Sequence, residues 1–315
     1  MKAIKDLKKI SQTIVFALIA ILALLKYISS PVALILGIVF TLIFGYSFQK
    51  KTEPATPLLL KLSIIGLGFG MSLTEIIQVS KDGFLLTASS IFLTIGLGLL
   101  LIKIMGIDRK LGFLMTSGTS ICGGSAIAAI SPVVHANHKT MSIAIGIIFL
   151  LNSIALLIFP ALGYFFDLTQ EQFGLWCAVA IHDTSSVVGA ALEYGEKSLK
   201  VATTLKLART LWIIPLSLFA VFLFKSKDQK IKTPLFILGF IITMLINSYR
   251  LIPENIALHV FDLSKRLLVV TLFLIGTNLT IKDLKESGFK PILFAVILWV
   301  FISVFSLVFI RMSAL

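Results

Sequence analysis

Charged side chains are scarce in this sequence, making up only 14% of its 315 residues, whereas hydrophobic residues make up 57%. A soluble domain with so few charges could not cover its surface with polar groups. Repeated apolar runs of about 20 residues instead predict helices that cross a lipid bilayer. We therefore predict an all-α polytopic membrane protein.

Acidic residues and cysteines are also few. Lys and Arg number 28 against 15 Asp and Glu, and this excess falls mainly between the apolar runs. It therefore orients helices in the membrane, and we expect no nucleic-acid partner. The only cysteines, Cys122 and Cys177, lie in apolar segments and imply no disulfide framework. The sequence shows no metal-ligand spacing and no Walker A motif, so we expect no cofactor and no ATP-driven step.

The apolar runs predict about eleven spans joined by short connections. We treat residues 1–315 as a single transmembrane unit in which 1–30 is an extra N-terminal helix. An alternative has ten spans and one re-entrant segment, which is 111–133 or 173–194. The eleven predicted spans are 13–28, 31–48, 56–77, 84–105, 111–133, 141–165, 173–194, 201–224, 233–249, 259–280 and 290–312.

The basic residues predict the orientation. With the N-terminus inside, sixteen Lys and Arg fall on the inner side and seven on the outer side, leaving aside those within or at the edges of spans. Basic residues concentrate on the cytoplasmic side of membrane proteins. We therefore predict N-terminus inside and C-terminus outside, with the loop at 225–232 cytoplasmic and residues 135–139 outside.

Residues 116–132, TSGTSICGGSAIAAISP, lie in an apolar span but contain poor helix formers. Gly118, Gly123 and Gly124 weaken the helix. The hydroxyls of Thr116, Ser117, Thr119, Ser120 and Ser125 can bond to the local backbone. Broken backbone at membrane depth is tolerated where protein buries it or where it lines a wet cavity. We interpret this stretch as an interrupted helix at a binding site. The alternative is close packing of small residues between helices.

A second interrupted span is predicted at 180–191, AIHDTSSVVGAA. An ionisable pair, His182 and Asp183, lies inside the apolar run, and such groups mark pathways by default. His182 is a proton carrier or a neutral structural histidine. Asp183 caps a half-helix, and this role is compatible with binding a substrate or a cation. The hydroxyls that follow are Thr184, Ser185 and Ser186.

The eighth span starts with Lys206 and Arg209, which are three residues apart and so share a helix face. We expect Lys206 to reach the outer interface and Arg209 to point inward toward Asp183 or a bound anion. Asn152, Asn247 and Asn278 are further polar residues in spans, and most such residues join helices. We nevertheless include Asn278 with Asp183 among candidates for charge balance or a coupling ion.

A faint internal repeat relates residues 70–74, GMSLT, to 276–280, GTNLT. The two predicted spans run in opposite directions, as in transporters built from inverted repeats.

The two glycine- and hydroxyl-rich stretches resemble the signatures of the bacterial YeiH-like family of sulfate exporters. That family is similar to cation/anion antiporters and bile-acid symporters. The resemblance implies inverted repeats, interleaved scaffold and core subdomains, and two interrupted helices crossing near the midplane. It also implies an anion site around Ser120, Gly123, Gly124 and Ser125 that faces residues 182–186. This chain has Ser186 where the family often has Gln, so the contact of that side chain with the substrate differs.

We therefore predict a secondary active transporter in the bacterial cytoplasmic membrane, exporting a small inorganic or sulfur-containing anion by alternating access. Its partners would be the anion, the bilayer and, for a homodimer, a second copy. The alternatives are a sodium- or proton-coupled organic anion carrier, with Na⁺ or H⁺ as coupling ion, and an anion channel. An intramembrane enzyme would need a nucleophile and base such as Cys122 and His182, and we expect no enzyme.

Overall fold

The computed structural model describes residues 2–25, 27–45, 49–224, 236–278 and 288–313, and this part of the chain is all helical. The helices are α1 Lys2–Leu24, α2 Ser30–Phe44, α3 Gln49–Leu67 with a 3₁₀ turn Gly68–Gly70, α4 Leu73–Met105, α5 Arg109–Ser120, α6 Gly124–Ile130, α7 His138–Phe165, α8 Gln170–Ala180, α9 Thr184–Tyr194, α10 Glu196–Thr210, α11 Ile213–Phe224, α12 Phe236–Ser248, α13 Glu254–Asn278 and α14 Phe289–Met312.

Four helical stretches of the described chain are long and apolar enough to cross a membrane. These are Gly83–Met105, Lys139–Phe165, Glu196–Phe224 and Phe289–Met312. Other apolar helices are shorter, including Ile10–Leu24, Ser30–Phe44, Pro54–Gly70 and Leu238–Ser248. The protein is therefore a helical membrane protein, and the full number of its spans stays a prediction.

The chain divides into two compact units that alternate along the sequence. One comprises Met1–Ser72 with Phe236–Leu279, and the other comprises Leu73–Leu235 with Thr280–Leu315. Each unit is thus completed by a segment from the C-terminal part of the chain.

In the first unit, α13 packs closely against α2 and α3. Gly37 and Gly276 face each other so closely that a Cβ on Gly37 would collide with the Phe273 carbonyl oxygen. Thr41 Oγ1 donates to the Thr277 carbonyl at 2.8 Å. Small residues let two helix backbones approach in this way, so these glycines set the distance between α2 and α13.

In the second unit, α5 and α6 form a hairpin. Lys110 Nζ, at the start of α5, donates to the His135 carbonyl, after the end of α6, at 2.8 Å. A continuous helix would hold these two residues about 37 Å apart, at 1.5 Å per residue. The predicted crossing at 111–133 is therefore wrong, because this segment turns back toward the end where it started.

Helices α8 and α9 form a second hairpin. Lys197 Nζ pairs with Glu171 at 2.7 Å, and Tyr194 Oη donates to the Leu168 carbonyl at 2.6 Å. The start of α8 and the end of α9 are therefore neighbours. The predicted crossing at 173–194 is also wrong. Both segments turn back, whereas the ten-span alternative made only one of them re-entrant.

The hairpins open toward opposite ends of α7, which is 28 residues long and so spans about 42 Å. His135 lies three residues before the first residue of α7, whereas Tyr194 of the second hairpin stacks on Tyr164 near the other end of α7, with ring centroids 4.4 Å apart. Helices α10 and α11 run back along α7, since Arg109 Nη2 donates to the Leu223 carbonyl at 3.3 Å. The closed ends of the two hairpins are thereby directed into the interior of this unit.

Candidate functional site

The closed end of the first hairpin is a break at residues 121–123. Gly123 has φ +59° and ψ −124°, a conformation that side chains rarely adopt. Three hydroxyls of α5 bond back to their own helix: Thr116 to Gly112, Ser117 to Phe113 and Ser120 to Ser117. Such bonds satisfy the buried hydroxyls locally, while the glycine supplies the sharp turn that ends the helix.

The closed end of the second hairpin is a break at residues 181–183. Ile181 and Asp183 are extended, and Asp183 is the N-cap of α9. Its Oδ2 accepts from the backbone N–H groups of Ser185 and Ser186, at 3.1 and 3.3 Å, and from the Ser185 hydroxyl. The capping interpretation of Asp183 is confirmed. These two N–H groups of α9 are consequently engaged by the carboxylate.

The two breaks lie against each other. A Cβ on Gly123 would stand 3.3 Å from the carbonyl carbon and oxygen of His182 and 3.4 Å from Asp183 N. Asn152 of α7 holds the second break in place, because its Oδ1 accepts from His182 N at 3.0 Å. The prediction that the two interrupted segments approach each other is confirmed, although they meet at hairpin ends and not as crossing helices.

Lys206 of α10 connects both breaks. Its Nζ donates to the carbonyls of Ile121 at 3.0 Å, Ala178 at 3.2 Å and Ile181 at 2.8 Å. The side chain is fully buried. The expectation that Lys206 extends to the membrane surface is therefore wrong. Lysine stems are long enough to do so, but here three carbonyls at the helix ends hold the ammonium inside.

Arg209, one helical turn further along α10, is also fully buried. Its Nη1 donates to Ser90 Oγ of α4 at 2.8 Å, and its Nη2 donates to the Ser120 carbonyl at 2.7 Å. Arg209 thus points inward as predicted. Its protein partners are Ser90 and Ser120, while Asp183 is engaged in capping α9.

Several polar atoms around the breaks are buried without a hydrogen-bond partner among the described residues. They are the Oγ1 of Thr119, the Nδ2 of Asn152, both ring nitrogens of His182 and the Nε of Arg209. Buried polar groups are nearly always paired, and those that are not require an explanation. A bound ligand or water would satisfy them. The Cys122–His182 hydrogen bond that an enzyme would use is not formed.

The structure brings most of the predicted site residues together. Ser120 ends α5, Gly123 lies in the first break, and Gly124 and the exposed Ser125 begin α6. His182, Asp183, Thr184, Ser185 and Ser186 are buried at the second break. Asn278 lies in the other unit, where its side chain bonds to Thr52 and Thr56 at 2.8 and 3.2 Å.

The sequence interpretation missed Lys206, Ser90 and Asn152 as members of this site. The sequence contains a signal for Lys206, because the polar residues Thr203, Lys206 and Thr210 recur at helical spacing. In the structure all three are buried on one face of α10. Nothing in the sequence separated Ser90 or Asn152 from ordinary polar residues that join membrane helices.

In the described part of the chain, two helical hairpins meet at buried polar groups that lack hydrogen-bond partners there. These features define a helical membrane protein with a polar centre. It belongs to the family described as Conserved hypothetical protein 698, whose model matches residues 10–295.

Its relatives include UPF0324 membrane proteins from several bacteria. The Photobacterium profundum protein is 50% identical over 300 residues, covering 95% of this chain and 91% of that protein. The Bacteroides thetaiotaomicron protein is 47% identical over 287 residues, covering 90% and 87%. No solved structure matches this chain. These relatives support a bacterial membrane location and carry no statement about a substrate.

Proposed function

We propose that this protein is a secondary active transporter of a small anion that works by alternating access. The observation that carries the proposal is the excess of buried positive charge at the breaks. Lys206 and Arg209 are both 0% exposed, and Asp183 is the carboxylate buried with them. Charges placed this deep require compensation. A bound anion would supply the missing negative charge beside the two cations.

The anion would bind where unused donors surround the breaks. Arg209 Nε and Asn152 Nδ2 are buried donors without a hydrogen-bond partner in the part of the chain that the structure describes. We assign substrate binding to Ser120, Gly123, Gly124, Ser125, His182, Thr184, Ser185, Ser186 and Arg209.

A sulfur oxyanion such as sulfate, sulfite or a sulfonate is the substrate class that we favour, with export as the direction. The resemblance of the two break sequences to the YeiH-like family supports this choice. Arg209 supports it as well, because guanidinium groups donate in pairs to oxyanions. A sodium- or proton-coupled organic anion carrier would use the same donors, with Asp183 near the coupling ion.

Alternating access would use the two hairpins as opposed gates around one fixed centre. They open toward opposite ends of α7, as inverted-repeat transporters require of paired half-helices. We propose that the unit holding the hairpins is the core and that the unit around α2, α3 and α13 is the scaffold. We place the protein in the cytoplasmic membrane with its N-terminus inside, where a homodimer would be a compatible assembly.

The proposal is tested with the purified full-length protein. We expect sulfate, sulfite or methanesulfonate to raise its melting temperature, since a ligand that binds only the folded state stabilises it. In proteoliposomes, the same anion should show saturable exchange. Arg209→Gln should lose both effects, whereas Lys200→Gln on the same helix should keep them. Flux that follows the electrochemical gradient without saturating would indicate a channel. No response to any of these anions, or to organic carboxylates, would refute anion transport.

A further inference from the structure

The surroundings of the Lys206 ammonium are those of a cation site built from main-chain oxygens. Three carbonyls converge on Nζ at 2.8–3.2 Å, from Ile121, Ala178 and Ile181. All three belong to the ends of interrupted helices, where the last carbonyls have no partner within the helix. Lys206 itself is 0% exposed.

Carbonyls freed at the ends of interrupted membrane helices are the usual ligands for a coupling cation such as Na⁺. An ammonium carries three N–H donors and no acceptor, so it satisfies three carbonyls at once. Nζ lies at the point on which the three carbonyls converge, where a bound cation would lie. The chain therefore fills its own cation site with a covalently attached charge.

We propose that Lys206 is the resident cation of the anion site, so that folding, anion binding and transport need no added Na⁺. The part of this inference that concerns anion binding and transport rests on the proposed function. The ammonium replaces the cation that would otherwise bind beside the substrate. It also joins the two hairpins, since Ile121 belongs to the first break and Ile181 to the second. Removal of the side chain should leave an empty site that a small free cation can enter.

The first experiment measures melting temperature without any candidate substrate anion. Wild-type protein is compared in gluconate salts of N-methylglucamine, sodium, ammonium and methylammonium. We expect the same melting temperature in all four for the wild type, because its cation site is filled. Lys206→Ala should melt at a lower temperature and regain stability with ammonium, methylammonium or sodium, because each binds the folded state. Lys200→Ala, on the same helix, should behave as the wild type in every salt.

Two results would overturn this proposal. One is a wild-type protein that sodium stabilises over N-methylglucamine, which would show a separate sodium site. The other is a folded Lys206→Ala variant that none of the small cations stabilises. The wild-type comparison decides the matter even where Lys206→Ala fails to fold. Since no candidate substrate is present, this experiment stands whether or not the anion transport proposal survives.

The second experiment measures sulfite and sulfate binding by the wild type with sodium and with N-methylglucamine as the only cation. We expect equal dissociation constants. A dissociation constant about tenfold lower in sodium would be a coupling of about 1.4 kcal/mol and would contradict a resident cation. An absence of binding in both salts would contradict the proposed anion function and leave the result with gluconate salts unaffected.

Discussion

At the scale of single residues, the site depends on two buried cations with different bonding capacities. Lys206 concentrates one charge on one nitrogen that donates to three carbonyls. Arg209 spreads its charge over a planar group whose two terminal nitrogens contact Ser90 and Ser120. Arg and Lys are not interchangeable in such positions. The two residues therefore have separate roles, although they are only one turn apart.

Arg209→Lys should keep the charge and the fold but weaken anion binding. A lysine ammonium lacks the planar fork of the guanidinium and loses paired donation to the anion. We therefore expect binding to fall about tenfold, the value of roughly one hydrogen bond. Arg209→Gln should lower the free energy of unfolding by about 1–3 kcal/mol, because it removes the hydrogen bonds to Ser90 Oγ and the Ser120 carbonyl. Thermal unfolding and anion titration of both variants check this. Wild-type stability and binding in Arg209→Gln would remove Arg209 from the site.

At the scale of elements, the contact between the two hairpins depends on the backbone conformation of one glycine. Gly123 combines a positive φ with a close approach to the His182 backbone. The neighbouring Gly124 has no positive φ, and the nearest atom to a Cβ there is 3.5 Å away, on Phe149. The two glycines are adjacent in sequence but differ in what the backbone demands of them.

Gly123→Ala should therefore destabilise the protein by about 1–3 kcal/mol, the usual cost of a strained backbone conformation. Gly124→Ala should leave stability within about 0.5 kcal/mol of the wild type or raise it slightly, since alanine favours helices over glycine. Chemical or thermal unfolding in detergent measures both. Equal stabilities of the two variants would show that the break does not require glycine at position 123.

The packing of α2 on α13 provides a second comparison between glycines. Gly37→Ala should force the two helices apart, because the new methyl group would collide with the Phe273 carbonyl. We expect a loss of about 1–3 kcal/mol, as for other overpacked interfaces. Gly96→Ala on α4 is the control, since a Cβ there meets nothing within 4 Å. An unfolding midpoint in Gly37→Ala that matches Gly96→Ala would contradict close packing at this position.

At the scale of the whole molecule, the hairpins change the predicted topology. Because 111–133 turns back, His135 lies beside Lys110 and near the end of α11, at Leu223. The prediction placed residues 135–139 and the loop after α11 on opposite sides, whereas His135 and Leu223, near the end of α11, lie at the same end of this unit. That loop, at 225–235, lies outside the described residues. Moving Lys139 to the inner side raises the inner count to seventeen basic residues against six, so the charge rule favours the same orientation more strongly.

Labelling of introduced cysteines from outside the cell tests this topology. Lys197→Cys, exposed at the open end of the second hairpin, should react. Lys139→Cys and a cysteine at position 228 should both be spared until the membrane is permeabilised. The native Cys122 and Cys177 are both buried and should add little background. Labelling of position 139 but not of position 228 would support a helix that crosses the membrane at 111–133 and would contradict the first hairpin.

The sequence by itself determined the class of protein and the location of its polar centre. Composition alone indicated helices in a membrane, because a soluble domain with 57% hydrophobic residues could not cover its surface with polar groups. Gly123 and the Asp183-Thr184-Ser185 run located both helix breaks, because glycine turns and side-chain caps are local features. The approach of the two breaks also followed, since their free backbone groups could not face lipid.

Only the tertiary structure decided how those breaks are arranged. A crossing helix and a returning hairpin can have the same local sequence. The contact that distinguishes them here joins Lys110 and His135, which are 25 positions apart. The role of Lys206 likewise depends on carbonyls from Ile121 and Ile181, which α10 meets only after both hairpins have packed. Local preferences are encoded residue by residue, whereas the direction in which a helix leaves a break is set by the surfaces it packs against.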